Sequence, residues 1–449
     1  MTTYDTIFRN GTVVGAGGLS LADIGVRDGI IVAVAPTLDG TADHERDCSG
    51  LHLLPGLIDA HVHFNEPGRT DWEGWESGSR SLAAGGGTFA IDMPLNSDPP
   101  VLSAAEVQAK VAAAEHVSVV DFALWGGLTP VNLSSLDELA DAGVIGFKAF
   151  MSNSGIPEFP AADDFTLLTG MEVAARRGLV VGVHAENDRI TQELGQRAMT
   201  SGRTTWADWA ATRPVVAETE AIARAIHLAR ATGCKLHIVH VSSGAGVAEV
   251  AAARAAGIDV TCETCPHYLT FTDGDRAALG ALGKCAPPFR SDAERSALWD
   301  AVRDGTVHTI GSDHSPAPAS MKTGDDAFAV WGGISGCQST LSALLTEGVQ
   351  ARDISLRTIA AVTAGDVAER FRLGNRGSLA PGKVADIVIV DMNKTMRLEK
   401  DSLLYRHKQS PYVGKTFRGT VVATYASGRA IWHDGRIVDA RRGRFVRPS

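Results

Sequence analysis

Gly56-Leu-Ile-Asp-Ala-His61-Val-His63-Phe-Asn-Glu-Pro-Gly68 is an apolar run that ends by presenting two histidines one residue apart. Successive side chains of a strand point to opposite faces, so His61 and His63 share a face and can approach one metal ion from the same direction. Alone, the pair also reads as two hydrogen-bonded polar residues at a strand end. The metal reading therefore depends on ligands further along the chain.

Working outward, apolar or β-branched runs recur near residues 56–62, 87–93, 117–124, 144–150, 179–184, 235–241, 258–263 and 306–311, most of them separated by alanine-rich helical stretches. Eight such runs with helices between them is the count of a (β/α)8 TIM-like barrel, whose active site collects at the carboxyl ends of the strands. The sequence predicts an α/β protein with this barrel over residues 56–375. Ser103-x-x-Glu106, Ser135-x-x-Glu138 and Ser291-x-x-Glu294 predict capping boxes at helix starts. Residues 1–55 read as short strands with hairpin signals at Asn10-Gly11 and Asp28-Gly29, and residues 376–449 repeat the style around Asp434-Gly435. Two β-rich ends around a different middle predict that both termini meet in one small β domain.

The strand ends carry the chemistry. The first run gives His61 and His63; the fourth places Lys148 between Phe147 and Phe150; the fifth ends on His184 and the sixth on His240; the eighth delivers Asp313. Singly, each histidine reads as a core residue and Asp313 as a helix cap before Ser315-Pro316. Together, in register with a barrel, they read as a metal centre at one mouth. His237 and His308 lie further back on their strands and read as structural, whereas His267 and His314 sit where they could support the ligands. Lys148 has two readings. A buried ammonium is costly, so its pKa falls and the neutral amine can capture carbon dioxide as a metal-bridging carbamate; alternatively its ammonium pairs with a carboxylate at the strand end.

The 449-residue chain is 44% hydrophobic and 21% charged, the balance of an ordinary soluble enzyme. A net charge of −10 with no basic block argues against nucleic acid or an anionic membrane as partner. No apolar segment is long enough to span a bilayer and the first residues lack a leader pattern, so a cytoplasmic protein is expected. Six cysteines are too sparse for a disulfide framework, and Cys262-Glu-Thr-Cys265, without a second such pair, reads as two reduced thiols in or beside a strand.

These residues resemble the amidohydrolase superfamily, within it the cyclic amidohydrolases and most closely the allantoinases. The motifs are Pro55-Gly-Leu-Ile-Asp-Ala-His-Val-His63, Gly146-Phe-Lys-Ala-Phe-Met151, His184-Ala-Glu-Asn187, His240-Val-Ser-Ser243, Glu263-Thr-Cys-Pro-His-Tyr-Leu269, Gly311-Ser-Asp-His-Ser-Pro316 and the Gly377 to Val390 segment, spread over essentially the whole chain. The resemblance implies a distorted barrel plus a β-sandwich built from both termini, and a tetramer. It implies that Lys148 is carboxylated to N6-carboxylysine by carbon dioxide and bridges two divalent ions, most often zinc. His61, His63 and Asp313 would hold the more buried ion, and His184 and His240 the exposed one.

The resemblance also bears on substrate. Dihydroorotases carry an arginine two residues after the second histidine, to pair with the substrate carboxylate; here that position is Asn65, which suits a neutral, urea-bearing substrate. Asp92-Met-Pro-Leu-Asn96 is similar to allantoinases, and Met151-Ser-Asn-Ser-Gly155 lacks the tyrosine of hydantoinases. Asn65, Asn96 and Ser315 are the expected substrate contacts. The expected reaction is opening of the hydantoin ring of allantoin to allantoate, by a hydroxide held between the two metals, with Asp313 moving the proton. The rival readings are a hydantoinase (dihydropyrimidinase) or dihydroorotase, and, outside enzymes, a catalytically silent oligomeric scaffold.

Overall fold

A computed structural model describes residues 3–438 and 443–449. The amino-terminal half of the β region comprises β1 (Thr3–Gly15), β2 (Gly18–Arg27), β3 (Ile30–Ala35), β4 (Thr41–Asp47) and β5 (His52–Pro55). The middle supplies β6 (Leu57–Val62), β7 (Gly87–Asp92), β8 (Asp121–Leu124), β9 (Gly126–Gly127), β10 (Gly146–Phe150), β11 (Val180–His184), β12 (Lys235–Ile238), β13 (Val260–Thr264) and β14 (Thr309–Ile310), with helices between most of them. The end of the chain returns as β15 (Ile387–Arg397), β16 (Thr416–Ala426), β17 (Arg429–His433) and β18 (Arg436–Ile437).

Both ends of the chain do share one sheet, of nine strands, in the order β18-β17-β16-β15-β5-β1-β2-β3 with β4 on β1. The joint is β5, whose apolar His52–Pro55 run pairs antiparallel with Ile387–Val390 and parallel with β1. Asp28 and Asp434 take positive φ before glycines and turn tight hairpins, as the sequence predicts. Asn10-Gly11 does not. There β1 runs straight on through a register shift between Phe8 and Gly11. The Asn10 N–H is taken by Asp23 at 2.8 Å, and a Cβ on Gly11 would lie 2.2 Å from Leu53, so the glycine admits a packed leucine and the strand bulges instead of reversing.

The middle strands pair only in parallel, β6-β7-β8 in one sheet and β14-β13-β12-β11-β10-β9 in another. Strands buried on every residue, such as β6, β7 and β11, are what helices on the outside and a filled interior require. Main-chain contacts also run between the two sheets: Ile145 N–H donates to Leu124 O at 2.8 Å, and Val62 bridges His314 in parallel, with His63 N–H to His314 O at 2.7 Å. Residues 443–449 leave the terminal sheet and run beside β8, where Phe122 bridges Phe445.

None of the three predicted capping boxes closes. Ser103 and Ser291 cap their helices, but Glu138 accepts from Ala104 N–H at 3.0 Å and Glu294 from Gly244 N–H at 2.7 Å. Each carboxylate is drawn to the amino terminus of a neighbouring helix, where exposed N–H groups compete with its own. Closed boxes form at Thr205–Asp208 and Thr272–Asp275 instead. All six cysteines are buried free thiols. Among the described residues no helix is long and apolar enough to cross a membrane.

Candidate metal centre

The period of two in β6 puts His61 and His63 side by side, and the Asp313 loop meets them from the last strand. Donor atoms of His61, His63 and Asp313 all lie within 4.8 Å of one another. His61 Nε2 and His63 Nε2 stand 3.2 and 3.5 Å from Asp313 Oδ1. The opposite ring nitrogens are engaged elsewhere: His61 Nδ1 with Glu263 Oε1 at 2.8 Å, and His63 Nδ1 with Leu95 O at 2.7 Å. A buried imidazole anchored at one nitrogen presents the other at a fixed angle, the usual arrangement behind a metal-ligating histidine.

A second convergence lies beside the first. His184 Nδ1 and His240 Nε2 face each other at 3.0 Å, while His184 Nε2 is held by Glu186 Oε2 at 2.9 Å. The five residues fit divalent ions: imidazole nitrogens and a carboxylate are turned inward, with their outer atoms mostly satisfied. Burial lowers the pKa of His63, His184 and His240, which keeps lone pairs free for a metal. Burial alone would raise Asp313, but the facing His61, His63 and His240 hold its carboxyl well below the usual range.

Lys148 projects from β10, fully buried, and its Nζ has no hydrogen-bond partner in the structure. Among the described residues no carboxylate pairs with it; the ammonium position lies 4.3 Å from the centre of the Phe150 ring. Burial brings its pKa down to about 7 against the pull of Asp313 and Glu263. An orphaned amine at this depth is what a carbamate would relieve, because two oxygens would then meet metal ions instead of carbon.

Local backbone strain marks the same residues. His240 and Asp313 adopt φ of 40° and 45°, the left-handed region that residues with a Cβ rarely enter. They are held there by cross-links: Ser312 N–H to Asp59 Oδ1 at 2.9 Å, His240 N–H to Glu263 Oε1 at 3.3 Å, and Ser242 N–H to Glu218 Oε1 at 2.8 Å. Gly311 is required for the same packing, since a Cβ there would lie 2.5 Å from Glu263 Oε2.

His61, His63, His184, His240 and Asp313 line a cavity of about 330 Å³, whose wall also includes Asn96, Ser315, Trp209, Arg213, Lys284 and Trp331. A larger hollow of about 1010 Å³ opens between the terminal strands around His44, Arg46 and Tyr425, and none of the candidate ligands reaches it. Asn96 and Ser315 therefore reach the cavity beside the candidate ligands. Asn65 does not: it is buried with φ of 64°, and its Nδ2 donates to Pro316 O at 3.3 Å behind the cavity wall. His237, bonded to Thr261 Oγ1 at 2.7 Å, and His308, which accepts from Cys262 N–H at 3.3 Å, are structural as read. His314 accepts from Gly336 N–H at 3.1 Å behind Asp313, and His267 is buried with neither ring nitrogen bonded.

The sequence reading missed Glu263 and Glu186 as supports. Both remain ionised at pKa about 2: burial opposes this, but for Glu186 it is outweighed by Arg213 and His184, and for Glu263 by His61 and His237. Their signal was present, since each lies within a quoted motif two or more residues from a ligand.

The Amidohydrolase family model matches residues 52–431. The chain is 54% identical over 449 residues to the allantoinase of Rubrobacter xylanophilus, covering 100% of this chain and 99% of that one. It is 49% identical to the allantoinase of Deinococcus radiodurans, with 99% of each covered. Among solved structures, the L-hydantoinase (dihydropyrimidinase) of Arthrobacter aurescens superimposes with a TM-score of 0.96 at 33% identity, over 99% of this chain and 100% of that one. With a family model spanning most of its length and relatives this similar from end to end, the chain belongs to the amidohydrolase family.

Proposed function

We propose that the chain is an allantoinase, a hydrolase that breaks the cyclic amide C–N bond of the hydantoin ring of allantoin and releases allantoate. The observation that carries this reading is the convergence of His61, His63 and Asp313 beside the His184–His240 pair at the floor of a small cavity, in a chain 41–54% identical over its whole length to allantoinases. The fold in this reading is a closed (β/α)8 barrel over residues 56–375, supported by the main-chain contacts between its parallel sheets, with a β-sandwich from residues 1–55 and 376–449.

His61, His63 and Asp313 would hold one divalent ion, His184 and His240 a second, and Lys148 as N6-carboxylysine would join them, with zinc the expected metal. Such ions acidify water and polarise a carbonyl when bound. Asp313 accepts the proton of the attacking water and delivers it to the departing ring nitrogen, while the ring carbonyl carbon becomes the new carboxylate. Its depressed pKa keeps it ionised at neutral pH. Asn96 and Ser315 orient the ring from the cavity wall, and Asn65 fixes Pro316 behind Ser315. The protein in this reading is cytoplasmic and a homotetramer.

The likeness to the L-hydantoinase favours one second reading, hydrolysis of other 5-substituted hydantoins. A panel of allantoin, simple hydantoins and dihydroorotate, run with and without zinc and bicarbonate, separates the two. The proposal expects allantoin to give the highest kcat/KM; a preference for a simple hydantoin or dihydroorotate overturns it.

A further inference from the structure

One wall of the cavity is built differently from the rest. Trp209 carries two cations on its ring, with Lys284 Nζ at 5.0 Å and Arg213 Cζ at 5.4 Å from the ring centre, and all three line the cavity. Arg213 spends Nη1 on Glu186, the carboxylate that holds His184. Lys284 makes no ion pair among the described residues. Its Nζ donates to the carbonyl of Val330, and the other two ammonium protons have no acceptor among the described residues. Among the described residues the charged groups that face it are Arg213, Lys322 and Asp326, and no candidate metal ligand is among them. Among the described residues, Asp313 is the only carboxylate on the cavity wall.

A hydrolysed carbonyl must sit at the metal ligands, so the Trp209 wall meets the part of the substrate that does not react. On an allantoin skeleton that part is the ureido arm, a planar neutral group whose carbonyl is a strong acceptor. Resting on the allantoinase reading above, we infer that Lys284 is a specificity-determining residue whose free ammonium protons, steadied over Trp209 beside Arg213, bind the carbonyl oxygen of the substituent on the hydantoin ring. A charge-assisted bond of this kind discriminates strongly, because an arm without an acceptor leaves the buried ammonium unpaired.

The test uses the metal-loaded holoenzyme and four ligands: allantoin, unsubstituted hydantoin, 5-propylhydantoin and 5-carboxymethylhydantoin. Each is compared by KM where it is turned over and by competitive inhibition constant where it is not. On the unaltered protein allantoin should bind at least about tenfold more tightly than 5-propylhydantoin. In Lys284→Met that advantage should vanish while unsubstituted hydantoin stays within about twofold, and Lys284→Arg should restore part of it. Equal binding of the ureido and propyl arms by the unaltered protein overturns the inference, even if no variant folds. So does equal weakening of hydantoin and allantoin in Lys284→Met, or a lysine-dependent preference for the carboxymethyl arm, which would assign the wall to an anion. Failure to open allantoin at all sinks the parent reading separately, because the ranking of the arms is then read from inhibition constants against whichever hydantoin the enzyme does open.

Discussion

Glu263 Oε1 lies 2.8 Å from His61 Nδ1 and, with the same oxygen, 3.3 Å from the main-chain nitrogen of His240. One buried carboxylate thus orients a histidine of each half of the candidate metal centre, and Gly311 leaves the space in which it does so. Glu263→Gln keeps the shape and removes the charge. Metal affinity should fall about 10- to 100-fold, read by competition with a chromogenic chelator; an unchanged affinity would show that Glu263 only fills space.

Asp313 faces both His61 and His63. Asp313→Ala should lower kcat by about 10²- to 10⁴-fold or more, with the circular-dichroism spectrum and melting midpoint little changed. Near-normal turnover would refute its part in moving the proton.

Arg376 joins the two regions of the chain. Its guanidinium, 5% exposed, bonds Asp121 on β8 with Nη2 and Asp386, just before β15, with Nη1, and lies over Phe89. Arg376→Met would remove the cation that two buried carboxylates share, with Arg444 Nη2 still 3.8 Å from Asp121. Breaking a buried pair in this way costs about 3–5 kcal/mol, seen as a fall of several degrees in melting midpoint at a fixed scan rate. A midpoint unchanged within a degree would mean that the clamp contributes nothing.

The acid limb of stability has a local contributor in Asp23. Burial opposes its ionisation, but N–H donors from Asn10 and Leu38 at 2.8 and 3.0 Å, and Arg9 at 3.0 Å, outweigh it and bring its pKa below the ordinary value. A depressed folded pKa stabilises fully above the unfolded value of about 3.9 and fades as pH falls below it. Asp23→Asn should therefore be less stable than the parent at pH 7, with the difference shrinking below about pH 4 in denaturant titrations; a difference independent of pH would contradict this.

Much of this was legible because the signals were local. His61 and His63 are two apart on a strand, and His184 and His240 end apolar runs, so strand periodicity alone turned their side chains to common faces. Lys148 was legible only in part: its run holds no carboxylate, which left a carbamate and a carboxylate pair both open, and in the structure its Nζ has no hydrogen-bond partner. What was illegible was long-range. Glu138 and Glu294 had the right spacing for capping boxes, yet donors 34 and 50 residues away took them. Asn10-Gly11 looked like a hairpin until Leu53 and Asp23, brought in by pairing that no window contains, made it a bulge. Asn65 had suitable chemistry for a substrate contact, but its backbone turns the amide toward Pro316.

The account depends most on Lys148, whose amine is buried without a partner. Protein loaded with zinc in ¹³C-bicarbonate should show one carbamate carbon signal by NMR and two metal ions per chain, and Lys148→Ala should lose the signal and at least one ion. A fully active, metal-loaded protein with no labelled carbamate, or the same metal content in Lys148→Ala, would contradict it.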